Sequence, residues 1–412
     1  MGSTFNRRKF LAGTAAVAST AAFPMPSIAQ SAPVKIGLLT VKTGPLASGG
    51  IQMEQGIVTF LKQKNYMLAG RKVDFISTDT GGNPAGAKTK AQELVEKDKV
   101  DVIMGPLAAF EMLAITDYIA QAKIPLMSLA GAEDMTQRKP NPYFIRASAT
   151  SSQCMKPMAD YATKVLGFKT AITISEDFAF GYEQMGGFQQ VFEANGGKVL
   201  NKLWPPLVTA DYTPYLAQIP KCDVVCQGFA GSNPVRFMKQ YYDAGLTIPV
   251  CGGETAGDDA LLKSFVDGAA GMYNACPYTI DLDTPMNKRF IADIQKMADN
   301  VPGFYAAGLY TNGQVVEAAL EKLGGNTNDK AALIKALRSV VLTDTPRGPV
   351  KFDHFGNVIG NVYVRQIVKD SSGNLSSKTL KTYTNIDQFW PYDEKTFLAQ
   401  PVYSRDFPPL KS

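Results

Sequence analysis

The sequence is poor in the residues on which most catalytic and metal sites depend. Only one of its 412 residues is a histidine, His354, and the Phe-Gly-Asn that follows predicts that it lies in an exposed turn. A single histidine excludes a multi-histidine metal site and leaves a Ser-His-Asp triad one possible base. The sequence also lacks metalloprotease, esterase-elbow and redox Cys-x-x-Cys motifs. We therefore expect a protein that is not an enzyme and that uses no cofactor or metal ion.

The sequence also lacks an excess of charge and a second long apolar run. The formal net charge of the whole chain is +5, but three of the positive charges are Arg7, Arg8 and Lys9 near the N-terminus, and without them it is about +2. No basic stripe is left that would indicate a nucleic-acid partner. After the first thirty residues, no apolar stretch approaches the roughly 20 residues that cross a bilayer. We expect the mature chain to be soluble and to bind no nucleic acid.

The first thirty residues have the composition of a bacterial export signal. The basic segment Asn6–Leu11 is followed by the uncharged, mostly apolar run Ala12–Met25 and by the small-x-small segment Ser27–Ala29. The adjacent arginines, with Phe and Leu close behind them, match the twin-arginine variant of such signals. We expect residues 1–29 to be a twin-arginine signal that is cleaved near Ala29, and we expect the mature protein to be periplasmic.

The five cysteines are Cys154, Cys222, Cys226, Cys251 and Cys276, an odd number that leaves at least one thiol unpaired in a monomer. Cys222 and Cys226 flank a strand-like run, whose four steps separate their Cα atoms by roughly 13 Å, too far for a disulfide. Cys226 and Cys251 could lie on neighbouring strands and form a bridge. We favour buried free thiols in parallel strands.

Strand and helix signals alternate along the chain, as in α/β proteins with a parallel sheet. Strands are predicted at 34–39, 72–77, 100–104, 124–128, 169–175, 224–227 and 249–251, with a late β-ribbon at 348–352 and 361–368. Helices are predicted at 52–64, 83–98, up to 122, 233–244, 283–299 and 305–323. The length and this order predict two doubly wound parallel-sheet lobes with a cleft between them.

The segment Gly81–Thr89 follows a predicted strand and opens a helix, so it resembles a phosphate-binding loop. In such a loop Lys follows directly after the second glycine, whereas here Ala87 intervenes and Pro84 removes a backbone N–H. Asn83 and Pro84 instead predict a capped helix start.

Several segments resemble one family in their order and spacing. They are Ile36–Leu46, Asp79–Pro84, Val100–Pro106, Ile124–Ser128, Asn141–Arg146, Asp177–Gly181, Val235–Gln240, Gly245–Pro249 and Tyr305–Ala307. Through them, most of residues 34–370 is similar to the periplasmic branched-chain amino acid (leucine/isoleucine/valine) binding proteins of ABC importers, which have the type I periplasmic binding fold. We place the two hinged lobes at 34–149 plus 278–347 and at 150–277 plus 348–412. The resemblance gives no role to the C-terminal extension from about residue 375.

The resemblance also implies where a ligand binds. In the family, loops after two first-lobe strands hold the ligand carboxylate through N–H and hydroxyl groups, and helix N-termini suit this task because they favour an anion. The second lobe supplies an aromatic residue, further contacts and an acid that pairs with a ligand ammonium, and a hinge-side aromatic closes the pocket. The corresponding residues are Leu107, Ala108, Ala109, Ser128, Ala130 and Gly131 in the first lobe, Phe180, Phe229 and Glu254 in the second, and Tyr305 at the hinge side.

Three departures from the family pattern concern the ligand. Ala109 replaces the serine that bonds the carboxylate, the loop 129–132 is shorter and has no threonine, and Gly49 lies near the place of an expected aromatic. These losses predict a larger, less polar pocket and favour a bulkier ligand such as an aromatic acid. Glu254 favours an amino acid instead, because burying its carboxylate without a cation or donor costs free energy.

Two ligand classes and one other function class therefore stay open. The leading hypothesis is a binding protein that captures a hydrophobic or branched-chain amino acid, or a related small carboxylate, and delivers it to an ABC permease in the inner membrane. The alternative ligand is an aromatic carboxylate of the benzoate or cinnamate type. The different function class is a ligand-sensing module for a regulator, which the export signal disfavours. We expect a monomer.

Overall fold

The structure is a computed structural model that describes Met1 and residues 32–411. The predicted signal at residues 1–29, with its twin arginines and its cleavage point near Ala29, lies outside the described residues apart from Met1. Among the residues that are described, no helix is long and apolar enough to span a bilayer.

Six strands form the first sheet. They are β1 (Val34–Thr40), β2 (Met67–Leu68), β3 (Arg71–Asp79), β4 (Val102–Met104), β5 (Leu126–Met127) and β6 (Phe144–Ile145). Their spatial order is β2-β3-β1-β4-β5-β6, and all neighbours are parallel except β2 and β3. β1 is buried along almost its whole length, which explains why most of its residues are apolar, as is usual for a central parallel strand.

Eight strands form the second sheet. They are β7 (Thr170–Ser175), β8 (Lys198–Leu203), β9 (Val224–Gly228), β10 (Val250–Gly252), β11 (Tyr273–Cys276), β12 (Val350–Phe352), β13 (Val358–Lys369) and β14 (Leu375–Ile386). The order is β12-β13-β11-β10-β9-β7-β8, and β14 also pairs with β13. β7 to β11 are parallel, whereas β13 runs antiparallel to β11, β12 and β14. The two largely parallel, helix-covered sheets confirm the predicted α/β class.

The described residues form helices between these strands. They are α1 (Ala47–Gln63), α2 (Pro84–Gln92), α3 (Ala109–Ala122), α4 (Met155–Lys164), α5 (Ala179–Ala194), α6 (Thr213–Leu216), α7 (Asn233–Asp243), α8 (Pro285–Met297), α9 (Phe304–Lys322), α10 (Lys330–Arg338) and α11 (Glu394–Leu398). The Asn83 side chain accepts a hydrogen bond from the Gly86 N–H (2.9 Å), which confirms the capped start of α2. α2 ends before the predicted residue because the chain widens into a π-helical turn at Glu93–Lys97.

Helices from the second half of the chain cover the first sheet. Phe290 of α8, Val316 of α9 and Leu337 of α10 are fully buried in the same apolar cluster as Val34 and Ile36 of β1. The core of the first sheet is therefore built from two stretches of chain that are far apart in sequence. The second sheet has its own apolar clusters, to which α4, α5 and α7 contribute.

All five cysteines are free thiols. Cys226 and Cys251 are register partners on the parallel strands β9 and β10, and Cys276 lies on β11. The other two lie outside the strands. Cys154 is a buried free thiol as predicted but not in a strand, whereas for Cys222 both the strand and the full burial are wrong. Cys154 directly precedes α4, and Cys222 lies before β9 and is only half-buried.

The single histidine lies in a turn, as the sequence predicts. The His354 side chain is 65% exposed, and its Nε2 is 3.5 Å from a carboxylate oxygen of Glu394 in α11. Its exposed position fits a surface residue and not a buried catalytic base.

The C-terminal segment that follows β14 packs between parts of the chain that belong to different sheets. The Gln388 amide donates to the Thr136 carbonyl (2.9 Å), in the loop before β6 of the first sheet. The Lys156 ammonium of α4, which packs on the second sheet, donates to the Gln388 carbonyl (2.7 Å). Arg138 donates to the Phe397 carbonyl (3.1 Å). The extension is thus an integral part of the fold, which the sequence does not reveal.

Candidate ligand-binding site

A cavity lies where strands of both sheets end. Its lining residues follow β1, β4 and β5 of the first sheet and β7, β9 and β10 of the second, which is the edge at which doubly wound sheets bind ligands. The cavity is narrow, with a volume of about 20 Å³, which leaves room for about one water molecule. The walls therefore have to part before a ligand of several carbon atoms can enter. The lining residues are Leu46, Leu107, Ala108, Ala109, Leu129, Gly131, Phe178, Phe180, Ala230, Glu254, Thr255, Phe304 and Tyr305.

Four helices begin at the cavity wall. Leu46 directly precedes α1, Ala108 precedes α3, Phe178 precedes α5, and Phe304 is the first residue of α9. Helix N-termini present unpaired N–H groups and a positive potential, and each favours a nearby anion by about 0.3–1 kcal/mol. Two of these four starts already meet a carboxyl group of the protein, because the Phe304 N–H of α9 donates to Asp258 (2.9 Å) and the Ala108 N–H before α3 donates to Glu111 (3.1 Å). The starts of α1 and α5 have no side-chain cap and no acidic residue in the first turn, so they suit a negatively charged ligand.

Glu254 is the one carboxylic residue among the described residues that line the cavity. Its Oε2 atom is buried and has no hydrogen-bond partner in the described part of the chain. Burial raises the pKa of Glu254 to about 8, although the neighbouring Gln184 side chain favours the charged form. At pH 7 the carboxyl group of the ligand-free protein is therefore mostly protonated, so it offers the cavity a neutral hydrogen-bonding group.

Aromatic rings form much of the wall. Phe178 stacks on Phe180 with ring centroids 6.0 Å apart and 21° between the ring planes, and Phe110 meets Phe178 edge to face at 5.4 Å. The rings of Phe304 and Tyr305 lie 4.9 Å apart at 52°. Such walls favour an apolar or aromatic ligand group, because aromatic pairs contribute about 0.5–1.5 kcal/mol beyond the burial of their area.

Seven of the ten predicted site residues line the cavity. They are Leu107, Ala108, Ala109, Gly131, Phe180, Glu254 and Tyr305. The structure thus brings together loops of both sheets at the place where the sequence predicts a ligand site. The contact of these residues with a ligand stays a prediction.

Ser128 and Ala130 do not line the cavity. The Ser128 hydroxyl and the Ala130 N–H instead form hydrogen bonds inside the protein. The Ser128 hydroxyl donates to the Pro106 carbonyl (2.6 Å) and accepts from the Ala130 N–H (2.9 Å). Ser128 therefore fixes one loop against the next, and neither group is free for a ligand carboxylate.

Phe229 does not line the cavity either. It is fully buried between Tyr212 and Phe237, with ring centroids 5.1 Å and 4.8 Å from its own. Ala230, the next residue, reaches the cavity instead. Phe229 is a core residue of the second sheet.

The space beside Gly49 is filled. A Cβ atom at this position would lie 2.9 Å from Cδ1 of Leu107 and 2.9 Å from Cε2 of Tyr305. The expectation that the missing aromatic enlarges the pocket is therefore wrong, because Leu107 and Tyr305 occupy that volume.

Six lining residues are not among those predicted from the sequence, namely Leu46, Leu129, Phe178, Ala230, Thr255 and Phe304. Most of them are adjacent to a predicted site residue. Leu46, Phe178 and Phe304 also lie where a loop enters a helix, so the helix starts were the signal that could have identified them.

Asp258 connects the two halves of the site. Its carboxylate accepts from the Gln52 amide of α1 (2.8 Å) and from the Phe304 N–H at the start of α9 (2.9 Å). Asp258 itself follows β10 of the second sheet, whereas α1 and α9 cover the first. Burial raises the pKa of Asp258 to about 6, and the hydrogen bond from Gln52 opposes this shift.

Arg146 holds the loop after β5 in place. Its fully buried guanidinium donates to the Ala130 carbonyl (2.8 Å) and also to the Ala132 carbonyl. It further donates to the Thr136 hydroxyl (2.7 Å) and the Asn357 side chain (2.8 Å). The hydrogen bonds from Arg146 therefore hold the backbone of the loop that contributes Leu129 and Gly131 to the cavity.

Comparisons with known proteins agree with this geometry. The family described as periplasmic binding protein matches residues 33–374. A Leu/Ile/Val-binding protein homolog 6 from Brucella suis is 28% identical over 369 residues, which cover 87% of this chain and 93% of that protein.

Two solved structures from Rhodopseudomonas palustris are also similar. One is a solute binding protein of an ABC transporter from strain BisB5 in complex with 3,4-dihydroxybenzoic acid, with 32% identity, a TM-score of 0.82 and coverage of 86% of this chain and 98% of that chain. The other is an ABC transporter solute binding protein in complex with 4-hydroxybenzoate, with 27% identity, a TM-score of 0.81 and coverage of 87% and 98%. Since the family match covers most of the sequence and the first of these structures is 32% identical, the chain belongs to the periplasmic binding proteins, as a solute binding protein of an ABC transporter.

Proposed function

We propose that this protein captures an aromatic carboxylate of the benzoate type and delivers it to an ABC permease. The observation that carries the proposal is the distribution of charge around the cavity. The uncapped starts of α1 and α5 favour an anion, and burial keeps the carboxyl group of Glu254 neutral at pH 7. A ligand whose only charge is one carboxylate complements this wall.

The carboxylate of the ligand binds at the start of α3. Ala108 and Ala109 line the cavity there. The Ala108 N–H already donates to the Glu111 side chain (3.1 Å), so the N–H groups of Ala109 and Phe110 bond the anion without a serine hydroxyl. The aromatic ring of the ligand lies against Phe180 and Tyr305. The solved relatives that hold 3,4-dihydroxybenzoic acid and 4-hydroxybenzoate support this ligand class.

A hydrophobic or branched-chain amino acid is the second candidate. The unpartnered Oε2 of Glu254 favours it, because an ammonium group would pair with the ionised carboxylate and bring its pKa down again. The naming of the Brucella relative as a Leu/Ile/Val-binding homolog supports the same candidate.

The proposal extends to the organisation and location of the protein. Residues 34–149 plus 278–347 form one lobe and residues 150–277 plus 348–412 the other, and they close over the ligand as a monomer that catalyses no reaction. The protein reaches the periplasm through a twin-arginine signal cleaved near Ala29, and there it meets its permease.

Thermal unfolding with benzoate or leucine, followed by calorimetric titration, tests the ligand class. A ligand at a hundred times its Kd stabilises the folded state by about 2.7 kcal/mol. We expect this shift with benzoate and none with leucine. Glu254→Gln separates the candidates further, because it leaves benzoate binding unchanged or improved but weakens amino acid binding about a hundredfold. Tight leucine binding that is lost in Glu254→Gln, without benzoate binding, refutes the proposal.

A further inference from the structure

The Thr80 hydroxyl lies between two oxygen atoms but has only one proton to donate. Its oxygen atom is 3.0 Å from the Thr40 carbonyl oxygen and 2.5 Å from Oε1 of Glu111. If Glu111 is ionised, the hydroxyl can donate to only one of these two oxygen atoms. If Oε1 of Glu111 is protonated, it donates to Thr80 and Thr80 donates to Thr40, so both contacts become hydrogen bonds. The contacts of Thr80 therefore favour a proton on Glu111.

Glu111 is a fully buried carboxyl group in the first turn of α3. Burial raises its pKa above the ordinary value of 4.5, and the two hydrogen bonds to its oxygen atoms oppose this shift. The carboxylate of Asp79 at the end of β3 raises the pKa further. The Lys42 N–H donates to Asp79 (3.1 Å), but the Lys42 ammonium pairs with Glu54 (2.9 Å). Burial and the charge of Asp79 therefore both favour the neutral form of Glu111.

Glu111 lies at the same helix start as the carboxylate of the proposed ligand. Its Oε2 accepts from the Ala108 N–H (3.1 Å), and Ala108 lines the cavity. The N–H groups of Ala109 and Phe110, which bond the ligand in the proposed function, are the next two along the chain. An ionised Glu111 would place a second negative charge beside the ligand carboxylate and repel it. A protonated Glu111 leaves the ligand as the only anion at this helix start.

We propose that Glu111 is a positioning residue and that it carries a proton whenever the start of α3 holds a ligand carboxylate. The protonated side chain keeps its hydrogen bonds to Thr80 and Ala108 and adds no charge to the site. Where Glu111 is ionised in the ligand-free protein, capture of one carboxylate takes up one proton from the solvent. This inference rests on the proposed function.

Three other buried carboxyl groups border the cavity and offer alternative places for such a proton. Burial raises the pKa of Glu254 to about 8, that of Glu176 to about 7 and that of Asp258 to about 6. Glu176 accepts from the Ala230 N–H (2.9 Å) and Asp258 from the Phe304 N–H (2.9 Å), so each bonds a residue that lines the cavity. These three groups are therefore the matched controls for the experiment.

Calorimetric titration with benzoate in buffers of different ionisation enthalpy measures the number of protons taken up per bound ligand. Titrations between pH 5 and pH 8 also give the pH dependence of the Kd. In the unchanged protein we expect uptake that approaches one proton and a Kd that rises by up to tenfold per pH unit. Glu111→Gln should lose both effects, because its amide donates and accepts like a protonated carboxyl group but does not titrate. Glu176→Gln, Asp258→Asn and Glu254→Gln should keep most of both.

Thr80→Val provides a second test that leaves Glu111 in place. It removes a hydrogen bond that stabilises the ionised carboxylate more than the neutral carboxyl group, because charge-assisted hydrogen bonds are the stronger ones. The pH at which the Kd begins to rise should therefore move upward. Thr78→Val is the matched control, because the Thr78 hydroxyl donates to the Leu38 carbonyl (2.9 Å) and its loss should leave this pH unchanged.

Three results would overturn the inference and leave the proposed function intact. They are a Kd that is independent of pH in the unchanged protein, proton uptake that persists in Glu111→Gln, and a pH profile that is the same in Thr80→Val and Thr78→Val. Failure of benzoate to bind at any pH refutes the proposed function and, with it, the inference.

Discussion

Replacing Glu254 by glutamine should stabilise the ligand-free protein. Burial raises the pKa of Glu254 from the ordinary value of 4.5 to about 8, and this side chain has no buried cation to compensate. The folded protein therefore keeps a proton that the unfolded chain releases above its own pKa. The contribution of Glu254 to the free energy of unfolding is lost as the pH rises from about 4.5 to about 8.

The size of the effect follows from this interval. Each pH unit above the unfolded-state pKa of 4.5 lowers the free energy of unfolding by roughly 1.4 kcal/mol. At pH 7 the free energy of unfolding has therefore fallen by about 3 kcal/mol. Glutamine has the same shape and does not titrate, so Glu254→Gln recovers up to this amount at pH 7 and almost none at pH 4.5. The folded unit runs from Pro33 to Ser412, and the unfolding entropy is about 2.1 cal/mol/K per residue. The free energy that Glu254→Gln recovers at pH 7 therefore corresponds to a rise in Tm of roughly 4 °C.

Calorimetric unfolding of ligand-free protein at pH 5 and pH 7.5 measures this effect. We expect Glu254→Gln to have a similar Tm to the unchanged protein at pH 5 and a higher one at pH 7.5. Glu321→Gln is the matched control, because Glu321 is exposed at the end of α9 and its replacement should give no such pH-dependent gain. A Tm difference that is independent of pH, or a variant less stable at pH 7.5, would refute the reasoning about the buried carboxyl group.

Two further predictions concern the core and the cavity. Phe229→Leu should lower the free energy of unfolding by roughly 1–3 kcal/mol but leave the ligand Kd unchanged, because Phe229 packs on Tyr212 and Phe237 and does not line the cavity. Denaturant unfolding measures the stability, and calorimetric titration measures the Kd. A higher Kd at unchanged stability would indicate that Phe229 contacts the ligand. Small-angle scattering should show a smaller radius of gyration when ligand is bound, because the narrow cavity requires open lobes for entry. An unchanged radius at saturation would contradict closure.

Local signals in the sequence were sufficient for the six strands whose ends form the cavity. They were also sufficient for the Asn83 cap, because a cap depends only on residues close in sequence. They were not sufficient for the full order of elements, because β8, β11, β14, α4, α5 and α10 were not predicted. The start of α1 was placed too late, since Gly49 and Gly50 have low helix propensity. A Cβ atom at Gly50 would lie 1.9 Å from the Val41 carbonyl, so a tertiary contact, which overrides propensity, requires the glycine there.

Three predicted site residues, Ser128, Ala130 and Phe229, do not line the cavity, for two different physical reasons. Phe229 and Ala230 are adjacent at the end of β9, and adjacent residues of an extended chain point to opposite sides. An error of one position therefore assigns the core residue Phe229 to the cavity, which Ala230 lines. For Ser128, the sequence shows that a hydroxyl is present but not that the Pro106 carbonyl and the Ala130 N–H already use it.

The division of the first core between distant stretches of chain has a consequence for biosynthesis. A nascent chain that has reached residue 280 already contains β1 to β6 but not Phe290, Val316 or Leu337, which cover Val34 and Ile36. The second sheet is likewise incomplete until β13 and β14 have been synthesised, near the end of translation. Neither core can close until most of the chain has left the ribosome. The unfinished chain therefore leaves apolar sheet surface uncovered, and both cores close late in synthesis.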